Sequence, residues 1–262
     1  MDTRNESLSR RAFLDKTGSA VLAGALVAEA AKAAAADPPL DPDRKIKMGI
    51  VGGGFGSSFQ WHEDPNCIVH AVSDLRTDRR DHLMKTYRCR RSYESLEKMI
   101  FDDEIEGIAM FTPAPDHVDH CVLAMNAGKH VICAVPAALN LEDAERLREA
   151  KERHDRKFMM AETSYYRYHT IGARDLFAQG KFGRLFYSEV EYYHPHSEEH
   201  LKRYWHYKGK RTWRYGFPPM LYPTHSTGFL VGVTKERLTS VSCLGWGNPE
   251  VKPFAESDNV YE

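Results

Sequence analysis

Short apolar runs alternate with amphipathic segments between residues 44 and 163. Five runs are apolar at most positions: 46–51, 67–73, 107–111, 130–134 and 157–162. Strands with this composition are typically buried on both faces of a parallel sheet. Helical spacing marks the segments between them: 78–87, 95–101, 116–127 and the segment that follows the capping residue Asn140. The alternation predicts an α/β domain with a parallel sheet over residues 44–163.

The pattern changes after residue 163. A helical segment at 169–179 is followed by a long alternating run at 185–193, which is typical of a strand in an antiparallel sheet. A short helix at 224–231 and a strand at 238–244 come next. We therefore predict a partial α+β domain over residues 164–262. Its sheet is incomplete at Glu262, so either the sequence is truncated or other subunits complete the sheet, and we expect a homo-oligomer formed through this domain.

The first apolar run opens directly into a glycine-rich turn, Gly52-Gly53-Gly54-Phe55-Gly56-Ser57. Glycines at such a turn allow unusual backbone angles and let a pyrophosphate approach the chain, whose phosphates then meet the amides at a helix N-terminus. The match to G-x-G-x-x-G is imperfect, because the sixth position is Ser57 and Gly56 comes one residue early. A merely flexible turn is the alternative. The pattern favours a dinucleotide-binding Rossmann domain.

Asp74 follows the second apolar run, about 22 residues after Gly52. An acidic side chain at this point accepts hydrogen bonds from the adenosine ribose, although it also serves in other proteins as a helix cap. Arg76, two residues beyond Asp74, keeps NADP as the alternative, because an arginine there can accommodate the 2′-phosphate. We expect NAD rather than NADP.

The first 36 residues predict an export signal rather than part of the fold. The twin arginines of Ser9-Arg10-Arg11-Ala12-Phe13-Leu14 precede an apolar segment and a small-residue site ending at Ala36. A membrane-spanning helix is the alternative, but Glu29 and Lys32 interrupt the segment. We predict a Tat signal at 1–36, a linker at 37–43, and a periplasmic or exported protein that holds its cofactor tightly.

Composition excludes several classes of partner. The formal net charge is −1, and a near-neutral balance does not favour nucleic acid or a membrane surface, nor does the mature chain predict a membrane span. The five cysteines are scattered without C-x-x-C, which suits core positions better than a zinc site or a disulfide framework. His194 and His196 lack a third ligand at a persuasive spacing, so we expect no metal.

Aromatic and basic residues interleave in the segment at 200–217. Such interleaving occurs in nucleic-acid sites, but the rest of the chain shows no other sign of one. Two interpretations of the segment stay open: a carbohydrate-binding platform that includes Trp213, or a loop used in packing or oligomer formation.

Five features, in their order along the chain, resemble the glucose-fructose oxidoreductase, inositol dehydrogenase and rhizopine catabolism family, Gfo/Idh/MocA. They are the glycine turn, Asp74, Thr112-Pro113 with His117, the segment Ala127-Gly128-Lys129-His130-Val131, and Pro136. The resemblance implies a sugar or cyclitol substrate and an NAD site formed by the following residues: Gly52, Gly53, Gly54, Phe55, Gly56, Ser57, Asp74, Thr112, Pro113, His117, Val135 and Pro136.

The chain departs from this family at two positions that its dehydrogenases use. Ala134-Val135-Pro136 replaces the usual Glu-Lys-Pro, and Leu221 replaces the aspartate four residues before the catalytic histidine. Three segments are similar instead to the NAD-dependent α-N-acetylgalactosaminidase-like glycoside hydrolases: 135–138, 159–162 and 222–225. The resemblance to that branch implies that NAD transiently oxidises a sugar hydroxyl, which acidifies the neighbouring C–H so that the glycosidic bond breaks by elimination. Water then adds and the NAD is regenerated, so no net redox results and the usual two-carboxylate scheme does not apply.

His225 is the predicted proton-transfer residue, because imidazole titrates near neutral pH. Tyr222 is predicted to orient it or to donate a proton, and Glu162, Tyr166 and Trp213 are predicted to bind substrate. Core, capping and surface roles are the alternatives for these side chains. We expect an NAD(P)-dependent oxidoreductase acting on a sugar or cyclitol hydroxyl, with two alternatives: an NAD-dependent glycosidase, or a non-catalytic nucleotide- or sugar-binding fragment.

Overall fold

The computed structural model describes residues 41, 43–193 and 197–244. Contacts divide the chain into residues 1–44 and residues 45–262, and the elements below all lie in the second unit. The predicted export signal and the pair His194 and His196 lie outside the described residues. None of the described helices is both long enough and apolar enough to cross a bilayer.

A six-stranded sheet forms the first part of this unit, and every pair of neighbouring strands is parallel. Its strands are β1 Ile46–Val51, β2 Cys67–Ser73, β3 Ser92–Tyr93, β4 Gly107–Met110, β5 His130–Cys133 and β6 Phe158–Met160, in the order β3-β2-β1-β4-β5-β6. The five predicted strands are confirmed, and β3 is an additional short edge strand. The reversal of strand order beside β1 is the position at which doubly wound folds bind nucleotides.

Helices connect the strands: α1 Thr77–Tyr87, α2 Leu96–Met99, α3 His117–Asn126 and α4 Leu141–Arg153. The predicted cap of α4 is confirmed, because the Asn140 side chain accepts the Asp143 N–H at 2.7 Å. Leu147 and Ala150 are the buried residues of this helix, whereas Leu141 in its first turn is 84% exposed.

Both faces of the sheet are buried by apolar side chains. One face packs Met110, Met125 and Val131 among the residues of α2, α3 and α4. The other packs Ile50, Leu83 and Phe111 beneath α1 and the segment between β1 and β2. Burial on both faces explains why the central strands are apolar throughout rather than alternating.

The regular elements of the second part are mainly helices, and many of its described residues are irregular. It contains α5 Tyr168–Ala178, α6 Glu198–Trp205, α7 Thr224–Thr234 and an antiparallel pair, β7 His206–Tyr207 with β8 Lys210–Arg211. The predicted antiparallel character is therefore confirmed in one short hairpin. The strands predicted at 185–193 and 238–244 are wrong, because these residues are irregular. A strand is stabilised by its neighbours, and Phe186, 90% exposed, contributes no burial there.

The helix α7 packs closely against the segment that follows β6. A Cβ on Gly228 would lie 3.1 Å from Glu162 Cγ, and a Cβ on Gly232 would lie 3.0 Å from Thr170 Cγ2. Arg174 fixes the other end of this contact by donating to the carbonyl oxygens of Gly232 and Tyr165. The two glycines thus let α7 approach the carboxyl edge of the sheet and bring His225 to Glu162.

Candidate active site

The glycine turn is shaped by the backbone around it. Gly52 has φ +96°, and a Cβ there would lie 2.2 Å from the Phe111 carbonyl oxygen. Gly53 donates its N–H to Asp74 Oδ2 at 2.7 Å, and Gly56 donates to the Gly52 carbonyl at 3.1 Å. Only glycine combines this φ with this closeness, so Gly52 is fixed by the fold itself.

The helix expected after the turn is absent from the described residues. Two 3-10 turns, Phe55–Ser58 and Trp61–Glu63, take its place. Phe59 stacks on Phe111 with ring centroids 4.7 Å apart, and Phe55 lies edge-on to the same ring. The Ser57 hydroxyl donates to the Gly54 carbonyl at 3.0 Å. Aromatic rings and two 3-10 turns, rather than an α-helix, therefore cover the sheet in the connection between β1 and β2.

Asp74 follows β2, as predicted, and lies beside the glycine turn. Its Oδ2 atom accepts the Gly53 N–H, and its Oδ1 atom accepts the Arg76 N–H at 2.8 Å. The Arg76 guanidinium is paired with Asp78 and lies 4.5 Å from the centroid of the Tyr207 ring. Arg76 is therefore already committed to two partners, which leaves Asp74 as the acidic group at the end of β2.

His117 links the segments that follow β4 and β5. Its ring nitrogens lie 2.7 Å from the Pro136 carbonyl oxygen and 2.8 Å from the Thr112 carbonyl oxygen. Both partners are carbonyl acceptors, so these two contacts favour the protonated ring, in which both nitrogens donate. Burial lowers the pKa of His117, but the Cys133 sulfur and the two carbonyls outweigh burial and raise it. His117 therefore holds together the loops that carry Thr112 and the cis Val135-Pro136 bond.

His225 and Glu162 form a buried pair at the end of β6. His225 Nδ1 lies 2.9 Å from Glu162 Oε1, which also accepts the Ser164 N–H at 2.8 Å. Burial raises the pKa of Glu162, but the hydrogen bond from His225, the neighbouring Thr224 hydroxyl and the Ser164 N–H together hold it below its usual range. Glu162 is a carboxylate, and it orients His225 through Nδ1.

Aromatic rings enclose His225. Tyr222 stacks on it at 5.6 Å between centroids, and Tyr192 lies at 4.5 Å. Burial raises the pKa of Tyr222 to about 12. Sequence reasoning missed Tyr192 as a site residue, because it falls within the run interpreted as a strand. The irregular path of that run brings Tyr192 onto His225, and no local signal indicates it.

The two remaining predicted substrate residues lie differently. Trp213 packs edge-on against Phe217 at 5.1 Å, and Phe217 contacts Tyr222 at 5.4 Å. Trp213 therefore connects to His225 through two intervening rings. Tyr166 packs on Tyr165 and is 49% exposed, and no contact among the described residues joins it to His225.

One cluster in the described chain has the composition of a metal site: His70, Asp102 and Glu104. The Arg91 guanidinium occupies it, donating to Asp102 at 2.9 Å and to Glu104 at 3.3 Å. Because the Arg91 guanidinium already pairs with these carboxylates, the cluster fits a structural ion-pair network better than a metal site.

A parallel sheet with a glycine turn and an acidic residue after its first two strands defines a dinucleotide-binding Rossmann domain. Residues 46–162 match the family model of Gfo/Idh/MocA, an oxidoreductase family with an NAD-binding Rossmann fold. The similarity to this family lies in that domain.

Similar proteins come from two groups. A glycosyl hydrolase family 109 protein of Shewanella baltica is 27% identical over 256 residues, covering 85% of this chain and 54% of that protein. An α-N-acetylgalactosaminidase of Shewanella oneidensis is 26% identical, with the same coverage. The crystal structure of apo scyllo-inositol dehydrogenase from Lactobacillus casei is 25% identical, with a TM-score of 0.50, covering 54% of this chain and 43% of that one. The chain spans about half the length of the curated relatives it matches.

Proposed function

We propose that the protein is an NAD-dependent oxidoreductase that acts on a hydroxyl group of a sugar or cyclitol. The observation that carries this proposal is the pair His225 and Glu162, which lies at the carboxyl edge of the same sheet as the glycine turn. Ligands of doubly wound folds bind outside that edge. The edge therefore offers a nucleotide site and a proton-transfer group together.

The residues at this edge fit the cofactor. Gly54 is exposed and Asp74 follows β2, so the turn is open to a diphosphate and the carboxylate is placed for ribose hydroxyls. Thr112, Pro113, Val135 and Pro136 would line its nicotinamide half. When bound, NAD accepts a hydride from the carbon that carries the substrate hydroxyl. Because Arg76 is held by Asp78 and Tyr207, Asp74 supports NAD rather than NADP.

His225 supplies the proton transfer. With Nδ1 bonded to Glu162, the Nε2 atom is left to take the substrate's hydroxyl proton, and the carboxylate stabilises the imidazolium that forms. Glu162 thereby supplies the carboxylate that family dehydrogenases place four residues before the histidine, where this chain has Leu221. Glu162 Oε2 is buried without a hydrogen-bond partner of ordinary geometry among the described residues. A substrate hydroxyl or a water molecule would satisfy it.

A second candidate function is an NAD-dependent glycosidase with transient oxidation and no net redox. Two observations favour it: Val135 places an apolar side chain where family dehydrogenases carry a lysine, and the relatives include an α-N-acetylgalactosaminidase. Trp213, linked to His225 through Phe217 and Tyr222, would provide an apolar surface for a sugar ring in either reaction.

One experiment separates the two reactions. The protein is incubated in parallel with free sugars or cyclitols and with aryl glycosides, while nicotinamide absorbance and aglycone release are followed. Stoichiometric reduction without aglycone supports the oxidoreductase, and repeated release without net reduction supports the glycosidase. In either case His225→Ala should reduce the rate by about 10²-fold, whereas the exposed His82→Ala should not. An equal rate in both variants would remove His225 from the site.

A binding assay tests the proposal at its base. Acid-quenched protein is analysed for released NAD, and protein without bound nucleotide is titrated with NAD and with NADP. No nucleotide in either test would favour a non-catalytic sugar-binding protein.

Export by the Tat route is a separate proposal that rests on Arg10-Arg11 and the Ala34-Ala35-Ala36 site. A tightly held cofactor suits a protein exported in its folded state. Replacing both arginines by lysine should leave the precursor in the cytoplasm; unchanged periplasmic recovery would refute the proposal. We also propose a homo-oligomer formed through residues 164–262, which sedimentation of the purified protein tests directly.

A further inference from the structure

The glycine turn is followed by a 3-10 turn of four residues, Phe55–Ser58, where dinucleotide-binding domains ordinarily begin an α-helix. The N-terminus of an α-helix places aligned N–H groups and about half a positive charge beside a pyrophosphate. A four-residue turn aligns too few peptide units to supply that charge. A diphosphate bound at this turn therefore needs positive charge from another source.

Arg79 lies in the first turn of α1, and its backbone is packed directly on the glycine turn. A Cβ on Gly53 would lie 2.8 Å from Arg79 Cβ and 2.9 Å from the Arg79 carbonyl oxygen. A Cβ on Gly54 would lie 3.5 Å from Arg79 Nη1 and 3.6 Å from Cζ. The guanidinium therefore lies over Gly54, which is the exposed glycine of the turn.

The neighbouring arginines are occupied by other partners. Arg76 is paired with Asp78, and Arg80 donates to the Asp74 carbonyl at 2.8 Å and to Thr77 Oγ1 at 3.1 Å. Arg79 approaches Asp74 Oδ2 only to 4.0 Å, its side chain is 44% exposed, and it makes no hydrogen bond among the described residues. Its five N–H donors are thus available at the turn.

We propose that Arg79 binds the diphosphate of the nucleotide and replaces the charge that an α-helix N-terminus supplies in other Rossmann domains. The inference rests on the proposed nucleotide-binding function and deepens it by naming the phosphate ligand. A planar guanidinium donates two parallel hydrogen bonds to phosphate oxygens, which an ammonium cannot do. Asp74 and Arg79 then divide the recognition of one ligand, the carboxylate binding the ribose hydroxyls and the guanidinium binding the phosphates.

Calorimetric titration of the purified full chain with NAD, ADP-ribose and adenosine tests this division. Arg79→Gln should weaken NAD and ADP-ribose by about tenfold, equivalent to about 1.4 kcal/mol, and leave adenosine unchanged. It should also reduce the salt dependence of ADP-ribose binding, since one ionic contact is lost. Arg79→Lys should lie between wild type and Arg79→Gln. Lys85→Gln removes one charge from the exposed face of the same helix and is the matched control.

Three results would overturn the proposal. Equal ADP-ribose affinity in wild type and Arg79→Gln would show that Arg79 does not bind phosphate, while NAD binding itself would stand. An equal loss of adenosine would show a general effect of the substitution on the site. Wild-type protein that binds neither dinucleotide nor ADP-ribose would refute the nucleotide-binding function and this inference with it. Thermal unfolding confirms that each variant is folded, and Arg79→Lys against wild type carries the test should Arg79→Gln not fold.

Discussion

Replacing Glu162 by glutamine removes a buried negative charge and nearly preserves the shape of the side chain. Oε1 accepts two hydrogen bonds, from His225 at 2.9 Å and from the Ser164 N–H at 2.8 Å. Hydrogen bonds to a charged group contribute about 1.5–3 kcal/mol, and neutral ones about 0.5–1.5 kcal/mol. Each bond should lose about 1 kcal/mol, and relief from burying the charge offsets part of the loss. We expect Glu162→Gln to cost about 1–2 kcal/mol at pH 7.

The pH dependence of this cost has a definite sign. The pKa of Glu162 is lowered in the folded protein, so the folded state binds its proton less readily than the unfolded state. The stabilisation is therefore complete above the unfolded value of about 4.3, and it is lost as the pH falls through the folded pKa. The difference between wild type and Glu162→Gln should be largest near neutral pH and should shrink in acid.

Urea unfolding at pH 7 and at about pH 3.5 measures this difference. Glu149→Gln, on the exposed face of α4, is the matched control and should change stability by less than about 0.5 kcal/mol at either pH. Turnover should also fall in Glu162→Gln, because His225 loses the carboxylate that stabilises its imidazolium. A variant as stable as wild type at pH 7, or a difference that grows in acid, would refute the account of the pair.

Three further predictions follow from the fold and the turn. Gly52→Ala should lower the free energy of unfolding by about 3 kcal/mol or more, because it adds a clash with the Phe111 carbonyl to the strain of a positive φ. Gly180→Ala is the control: Gly180 has φ +72° and open space around it, so the loss should be about 1 kcal/mol. Equal urea midpoints for the two variants would show that the clash at Gly52 is relieved. His117→Ala should lower the free energy of unfolding by about 2–3 kcal/mol near pH 6. The loss should be smaller at pH 9, because the pKa of His117 is raised in the folded protein and its stabilisation disappears as the pH rises through that folded pKa. A loss that does not change with pH would show that the ring is neutral. Asp74→Asn should reduce the ratio of the NADP to the NAD dissociation constant by about tenfold in titrations. An unchanged ratio would assign the preference for NAD to another residue.

The sequence determined the first part of the fold because its signals are local. Apolar runs, helix spacing and the Asn140 cap predict five of the six strands and the four α-helices of residues 44–163 without reference to distant residues. Asp74 was predictable for the same reason, since it follows a strand whose apolar pattern is unambiguous. Gly52 was predictable as a turn glycine, although its clash with Phe111 depends on the neighbouring strand β4.

Tertiary structure decided what the local pattern could not. The run at 185–193 alternates like a strand, yet no described strand pairs with it, and its irregular path carries Tyr192 to His225. The segment after Gly54 has the turn of a Rossmann domain without its α-helix, because aromatic packing on Phe111 replaces helical packing. His225 and Glu162 are 63 residues apart in sequence and meet only because Gly228 lets α7 approach β6. Close packing between distant segments, which no local pattern encodes, created the pair on which the proposed chemistry depends.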